Sequence, residues 1–282
     1  MITFEEISRV STKEQLTHLV VEKDYALSWL LWGISQHPKT QKQWVFKGGT
    51  CLKKCYFKNY RFSEDLDFSY LGTEPLDVEI LTKILSECTD FIFEEAGFEF
   101  QKKSIQFEVF VNPRGTLSIQ GGIKYRGPVR PQVGLSNMPR VKIDLTLDEP
   151  LILNPVVREV DHNYSDKPNS GIYSLSYSFE EIFAEKIRAL MQRLRPRDLY
   201  DVIHLYKRKD SQLSPGSIRS VLEKKCVLRE IKAPTFKLIE NHSNRKSIES
   251  EWAQQLNHQV SLLDDFNKYF DELNLVFNWL YS

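Results

Sequence analysis

Arg61-Phe62-Ser63-Glu64-Asp65-Leu66-Asp67-Phe68 holds two acidic residues separated by one apolar residue. From Asp65 to Tyr70 polar and apolar residues alternate, the period of a half-buried strand. Side chains two apart in a strand share a face at roughly 7 Å. Asp65 and Asp67 therefore stand side by side, while Leu66 and Phe68 turn into a core. Like charges at that spacing raise each other's pKa. A divalent cation removes the conflict, and an all-oxygen donor set with few protein ligands suits Mg²⁺. Taken alone, the pair reads more readily as the solvated face of a strand, because short motifs match by chance.

The flanking segments add chemistry. Upstream, Trp44-Val45-Phe46 reads as a short strand that runs into Lys47-Gly48-Gly49-Thr50, a glycine turn before a short helix over 50–57. Glycines let backbone N–H groups approach phosphate oxygens, and a helix start favours anions. A plain tight turn is the alternative for Gly48 and Gly49. Downstream, Arg140-Val141-Lys142-Ile143-Asp144-Leu145 reads as a strand with Lys142 and Asp144 on one face. Beside the Asp65 strand, Asp144 becomes a third carboxylate, as two-metal phosphoryl transfer requires. Otherwise it is an exposed strand residue paired with Lys142 or Arg140.

The C-terminal part offers cations. Over residues 180–194, Phe183, Ile187, Leu190, Met191 and Leu194 form one apolar stripe at helical spacing. Lys186 and Arg193 fall together at its edge, at about 100° per residue. The residues three and four away from Lys186 are Ile182, Phe183, Ala189 and Leu190, so no ion pair along the helix accounts for it. It either reaches a phosphate or snorkels along apolar surface to water. Arg195-Pro196-Arg197-Asp198-Leu199-Tyr200-Asp201 follows. Arg193, Arg195 and Arg197 make a dense patch suited to bidentate phosphate contact. A solvated turn, with Asp198 and Asp201 as helix-dipole partners, explains the same residues.

The rest of the pattern sets the frame. Ser11-Thr12-Lys13-Glu14 resembles a capping box that opens a helix ending near Pro38. A helix over 80–95 stops at Gly97. Strands are expected over 98–110, 116–124 and 140–147, the first two joined by a turn at Asn112-Pro113-Arg114-Gly115. Residues 154–171 are rich in turn formers and mark a domain boundary. Helices are expected over 180–194, 198–207, 214–228, 247–255 and 262–280. The fold class is α+β: a mixed-sheet domain over 1–165, then a helical domain over 166–282 that contributes Lys186 and Asp198.

Bulk properties exclude several classes. The 38 basic and 38 acidic residues cancel, so only a local patch can attract nucleic acid. Aromatics at 12% argue against disorder. Cys51, Cys55, Cys88 and Cys226 show no zinc-ligand spacing, and they read as reduced thiols. No run approaches the about 20 apolar residues of a membrane span. The N-terminus has no signal-peptide pattern. A cytoplasmic protein without a membrane partner is expected.

Five segments, taken together and in order, resemble the AbiEii/AbiGii-type nucleotidyltransferase toxin family, the toxin half of type IV-style toxin–antitoxin and phage-defence pairs. They are Phe46-Lys47-Gly48-Gly49-Thr50-Cys51-Leu52, the stretch Arg61 to Phe68, Val141-Lys142-Ile143-Asp144-Leu145-Thr146, Glu181-Ile182-Phe183-Ala184-Glu185-Lys186-Ile187-Arg188-Ala189, and Arg195 to Asp201. The resemblance implies a polymerase-β-like nucleotidyltransferase core with a helical C-terminal domain, and an NTP donor with Mg²⁺ (or Mn²⁺). It implies that Asp65 and Asp67 bind metal, that Lys186 contacts the donor phosphates, and that Asp198 completes the site. Gly48, Gly49, Thr50 and Ser63 would shape the phosphate pocket with Arg193, Asp144 would be the third carboxylate, and Arg195 and Arg197 would contact RNA or phosphate. The chain has Gly-Gly-Thr where Gly-Ser is usual, which argues against small-molecule acceptors.

The expected activity is transfer of NMP to RNA, with the tRNA 3′ end as acceptor, blocking translation, and a cognate antitoxin as partner. The alternatives are a phosphotransferase acting on a protein or small molecule, and a catalytically silent nucleotide-binding protein.

Overall fold

The alternating run at Asp65 lies at the centre of a seven-stranded mixed sheet. A computed structural model describes residues 1–111 and 115–282. The strands are β1 (Trp44–Lys47), β2 (Asp65–Tyr70), β3 (Glu99–Val111), β4 (Leu117–Arg126), β5 (Arg140–Thr146), β6 (Val156–Glu159) and β7 (Tyr173–Ser176). Across the sheet they follow the order β3-β4-β5-β2-β1-β7-β6. β2 pairs antiparallel with β1 and parallel with β5, so its backbone is satisfied on both edges. Leu66, Phe68, Phe46 and Leu145 are fully buried on the apolar face. The helices α2 (His18–Gln36) and α4 (Val78–Ala96) pack against the sheet and against each other. α2 has 13 of its 19 residues buried, so it is a core helix rather than one with a single apolar stripe. The polar face of the sheet carries the acidic residues.

The chain start differs from expectation. Ser11 does not open a helix; it sits inside α1 (Phe4–Glu14), which begins at Thr3 with Glu5 and Glu6 in its first turn. That acidic first turn favours the earlier start. α1 closes on Gln15 in the left-handed conformation, and Thr17 caps α2 by accepting from the Val20 N–H. The expected end before Pro38 is observed. β3 and β4 pair antiparallel as expected. The turn expected at Asn112-Pro113-Arg114 lies outside the described residues.

Residues 154–171 are not a bare linker. They contain β6, which pairs antiparallel with β7, and β7 pairs parallel with β1. Four residues are too few for alternation to register in the sequence. With β7 bound into the sheet, the division falls later than the expected 165/166. The first unit is Met1–Pro150 with Pro155–Tyr177, and the second is Leu151–Asn154 with Ser178–Ser282.

The second unit is helical: α5 (Phe179–Arg193), α6 (Pro196–Arg208), α7 (Pro215–Leu228), the short α8 (Phe236–Glu240) that the sequence does not signal, α9 (Arg245–Leu256) and α10 (Phe266–Leu280); in the first unit the helical segment begins at the glycines themselves, as α3 (Gly48–Cys51) followed by a π-helical turn (Leu52–Tyr56), rather than at Thr50. α5 packs on α6 and α7, and Phe183 stacks on Trp279 of α10 at 5.8 Å. The buried Glu181 carboxylate accepts from the N–H groups of Ile152 and Leu153, which ties that short segment to the helices. Among the described residues no helix is long and apolar enough to cross a membrane.

Candidate active site

Strand register builds the first half of the site. Lys47 lies opposite Asp67, Asp67 opposite Asp144, and Asp144 opposite Gln120. Direct cross-strand partners share a face, so these four side chains form one row across β1, β2, β5 and β4. Asp65 stands two residues before Asp67 on the same face, opposite Lys142. Asp65, Asp67 and Asp144 are all half-buried. Gln120 Nε2 donates to Asp144 Oδ2 at 2.7 Å, and Lys47 Nζ donates to Thr146 Oγ1 at 3.0 Å and to Glu149. Asp144 does not pair with Lys142 or Arg140; Gln120, Lys47, Glu149 and Asp65 surround it. Burial holds the Asp144 carboxyl above its usual range. Lys47 and the Gln120 hydrogen bond oppose that shift, and Glu149 and Asp65 add to it.

The glycine turn is built against this row. Gly48 has φ +82°, in the left-handed region that favours glycine. A Cβ there would overlap the Asp67 carboxylate. A Cβ on Gly49 would overlap the buried Arg61 guanidinium and lie 3.2 Å from Ser63 Oγ. Thr50 Oγ1 donates to the Asp65 carbonyl at 2.6 Å. Two glycines and a threonine thus let the turn lie directly on Arg61, Ser63, Asp65 and Asp67. Gly48, Gly49, Thr50, Ser63, Asp65, Asp67 and Asp144 belong to one assembly.

Oxygen donors dominate that assembly, which is the chemistry Mg²⁺ takes. Among the described residues, no three His, Cys, Asp or Glu side chains converge as a ready-made metal cage. Mg²⁺ commonly uses one or two carboxylates and fills its remaining positions with water and substrate phosphate. Asp65 and Asp67 fit that arrangement. The raised pKa of Asp144 marks a carboxylate that a nearby cation would stabilise in its charged form.

The helical unit holds the second group. Lys186 is 8% exposed, and its Nζ lies 2.7 Å from Asp201 Oδ2 and 3.7 Å from Asp198 Oδ1. Arg193 grips Asp198 with two hydrogen bonds, Nε to Oδ2 at 2.6 Å and a terminal nitrogen to Oδ1 at 2.8 Å. Burial alone would raise the Asp198 pKa. Arg193 and Lys186 outweigh it and hold the carboxyl below its usual range. Lys186 therefore neither snorkels to water nor pairs along its own helix. Its partners come from α6, which the Arg195-Pro196 turn folds back beside α5. Arg195 occupies the N-cap of α6, makes no side-chain capping bond and is exposed; Arg197 is half-buried.

Four residues of these clusters escape the sequence reading: Lys47, Gln120, Glu149 and Asp201. Lys47 and Gln120 join the row only through register, which a single strand does not reveal. Asp201 carries a local signal, since Asp198 and Asp201 are three apart and share a helix face.

The family model of the nucleotidyl transferase AbiEii toxin of type IV toxin–antitoxin systems matches residues 29–273. No curated protein matches the chain. Among solved structures, MenT4, nucleotidyltransferase toxin Rv2826c from Mycobacterium tuberculosis H37Rv, is similar with a TM-score of 0.65 and 18% sequence identity, covering 100% of this chain and 90% of that one. At that identity the likeness concerns the fold, an α+β arrangement with a mixed sheet and a helical C-terminal region. The family match takes in both units and all five motif segments, so the chain belongs to the nucleotidyl transferase AbiEii toxin family of type IV toxin–antitoxin systems.

Proposed function

We propose that this nucleotidyltransferase moves a nucleoside monophosphate from an NTP onto RNA with release of pyrophosphate, with the tRNA 3′ end as acceptor, and that the modified RNA stalls translation. The observation that carries the reading is the in-register row of Asp67 and Asp144 beside Asp65, with the Gly48-Gly49 turn lying on Asp67. Asp65 and Asp67 would hold Mg²⁺, with Asp144 as the third carboxylate, and the ion would supply neutralising charge to the triphosphate. The Gly48 and Gly49 backbone, with Thr50 and Ser63, would cradle phosphate oxygens. Asp144 would accept the proton of the attacking hydroxyl. In the helical unit Lys186, held by Asp198 and Asp201, and Arg193 would contact donor phosphates, and Arg195 and Arg197 would contact RNA or phosphate. A cognate antitoxin, as the family name implies, would be the protein partner.

Incubation with each of the four NTPs, labelled at the α- or γ-phosphate, plus Mg²⁺ and total tRNA tests this reading. Label from the α-position should enter RNA. Label from the γ-position alone would make the protein a phosphotransferase, and NTP binding without any transfer would make it catalytically silent.

A further inference from the structure

The segment Leu52–Tyr56, a single π-helical turn, and β6 at the sheet edge border a cavity of about 360 Å³ in the first unit. Five cations line it (Lys53, Lys54, Lys58, Arg158 and Lys167), and only two carboxylates, Glu159 and Asp161. In a chain whose 38 basic and 38 acidic residues cancel, this is a concentrated positive site. Its cations divide into two groups. Lys54 is buried and engaged, with Nζ 2.7 Å from Asp24 Oδ2 and 2.8 Å from Ser28 Oγ. Lys53 lies 3.7 Å from Asp24 and over the Phe62 ring, and Lys167 pairs with Glu159 at 2.7 Å. Lys58, Arg158 and Lys167 are exposed; among the described residues neither Lys58 nor Arg158 forms an ion pair with a carboxylate, and Lys58 lies near enough to Glu159 to help hold its carboxyl below the usual range. Arg158 instead stacks over the Tyr56 ring, 4.4 Å from its centroid.

Exposed cations interleaved with aromatic faces are what a single-stranded nucleic acid uses: phosphates meet the cations, and bases stack on the rings. Tyr56 and Phe57 both line the cavity. We propose that this cavity grips the phosphate backbone of the acceptor RNA through Lys58 and Arg158, with Lys167 at the rim. The assignment rests on the RNA-acceptor reading above. It adds a second contact region, separate from the Asp65 row, that holds the strand rather than reacts with it. Lys53, Lys54 and Lys167 keep their partners and set the local field, so Lys58 and Arg158 supply the main contacts.

Fluorescence anisotropy of the full chain with a labelled single strand of about 12 nucleotides, over a salt series, tests the assignment. The variants are Lys58→Glu, Arg158→Glu, their double, and Lys42→Glu as an exposed control elsewhere in the same unit. Each single reversal should weaken RNA binding about tenfold and lower the salt slope by roughly one. The double should lose more, and Lys42→Glu should behave as wild type. NTP binding, followed by equilibrium dialysis, should be unchanged in all of them. Thermal melts should coincide with wild type for Lys58→Glu and fall only slightly for Arg158→Glu, which loses its stack on Tyr56. The assignment is overturned if the double variant binds RNA like wild type, if the wild type does not bind the strand at low salt, or if NTP binding falls in parallel, which would give the cavity to the nucleotide. Failure of the functional reading looks different: the wild type would bind RNA through Lys58 and Arg158 yet transfer no label to it.

Discussion

Asp144 bears an electrostatic cost created by its position. It is half-buried, and Glu149 and Asp65 are among the charges around it. Its folded pKa is raised, so its contribution to stability is fully present below the unfolded value of 3.8 and is lost as pH rises through the folded pKa. Asp144→Asn removes that cost. Thermal melts without added metal should find the variant more stable than wild type at neutral pH, with the difference closing in acid. Added Mg²⁺ should stabilise wild type more than the variant, because an ion bound to the native state adds stability by mass action. A variant that is less stable at every pH would contradict this account. Asp65→Ala belongs to the same scale. If Asp65 holds the metal as proposed, its loss removes several kcal/mol of transition-state stabilisation, and transfer should fall by about a hundredfold or more, since each 1.36 kcal/mol is tenfold. Unfolding should shift by no more than about 0.5 kcal/mol, as Asp65 is half-buried on a polar face. Gly48→Ala meets both a left-handed backbone and the Asp67 carboxylate. It should cost about 1–2 kcal/mol from the backbone alone and lower NTP affinity in the same dialysis assay.

Between elements, the α5–α6 pair depends on a buried charge network. Removing Lys186 takes away the cation 2.7 Å from fully buried Asp201, while Asp198, 1% exposed, keeps Arg193. Lys186→Ala should therefore destabilise the protein by about 3–5 kcal/mol, the cost of breaking a buried pair, measured by chemical denaturation. Lys186→Arg, which keeps the charge, should recover most of it. A loss of activity in Lys186→Ala is thus interpretable only beside its melt, whereas Asp65→Ala reports on chemistry. Asp198 gives the opposite pH sign from Asp144. Its lowered folded pKa contributes stability present above 3.8 and lost as pH falls through the folded value.

For the whole molecule, the expected outcome is growth arrest. Expression of the chain without an antitoxin should stop growth, and Asp65→Ala should relieve the arrest at equal protein level, measured by culture density and immunoblot. Persistent arrest by a folded Asp65→Ala protein would remove the site from the toxic activity.

Much of this protein is written locally. The alternation of Asp65 to Tyr70 marks β2 to the residue, the stripe from Phe183 to Leu194 marks α5, and Gly97 stops α4. The five motif segments carry the family. Such features depend on period, capping and residue type, which act over a few neighbours. Other features escaped because their causes are distant in sequence. β6 and β7 are four residues each and exist by pairing with each other and with β1, so no local period announces them. The start of α2 depends on where α1 ends. Lys47 and Gln120 meet the acidic row because strands separated in the chain align in one register, Glu149 reaches Lys47 from the loop after β5, and the second glycine is needed because Arg61 folds back on it. The sequence by itself determined the family and the residue types on which the proposed chemistry rests. Only the tertiary structure decided their partners: which carboxylate is raised, which lysine is neutralised by Asp201, and which exposed cavity cations form no ion pair with a carboxylate among the described residues. Pairing and burial are long-range properties, and they set the electrostatics that residue types alone leave open.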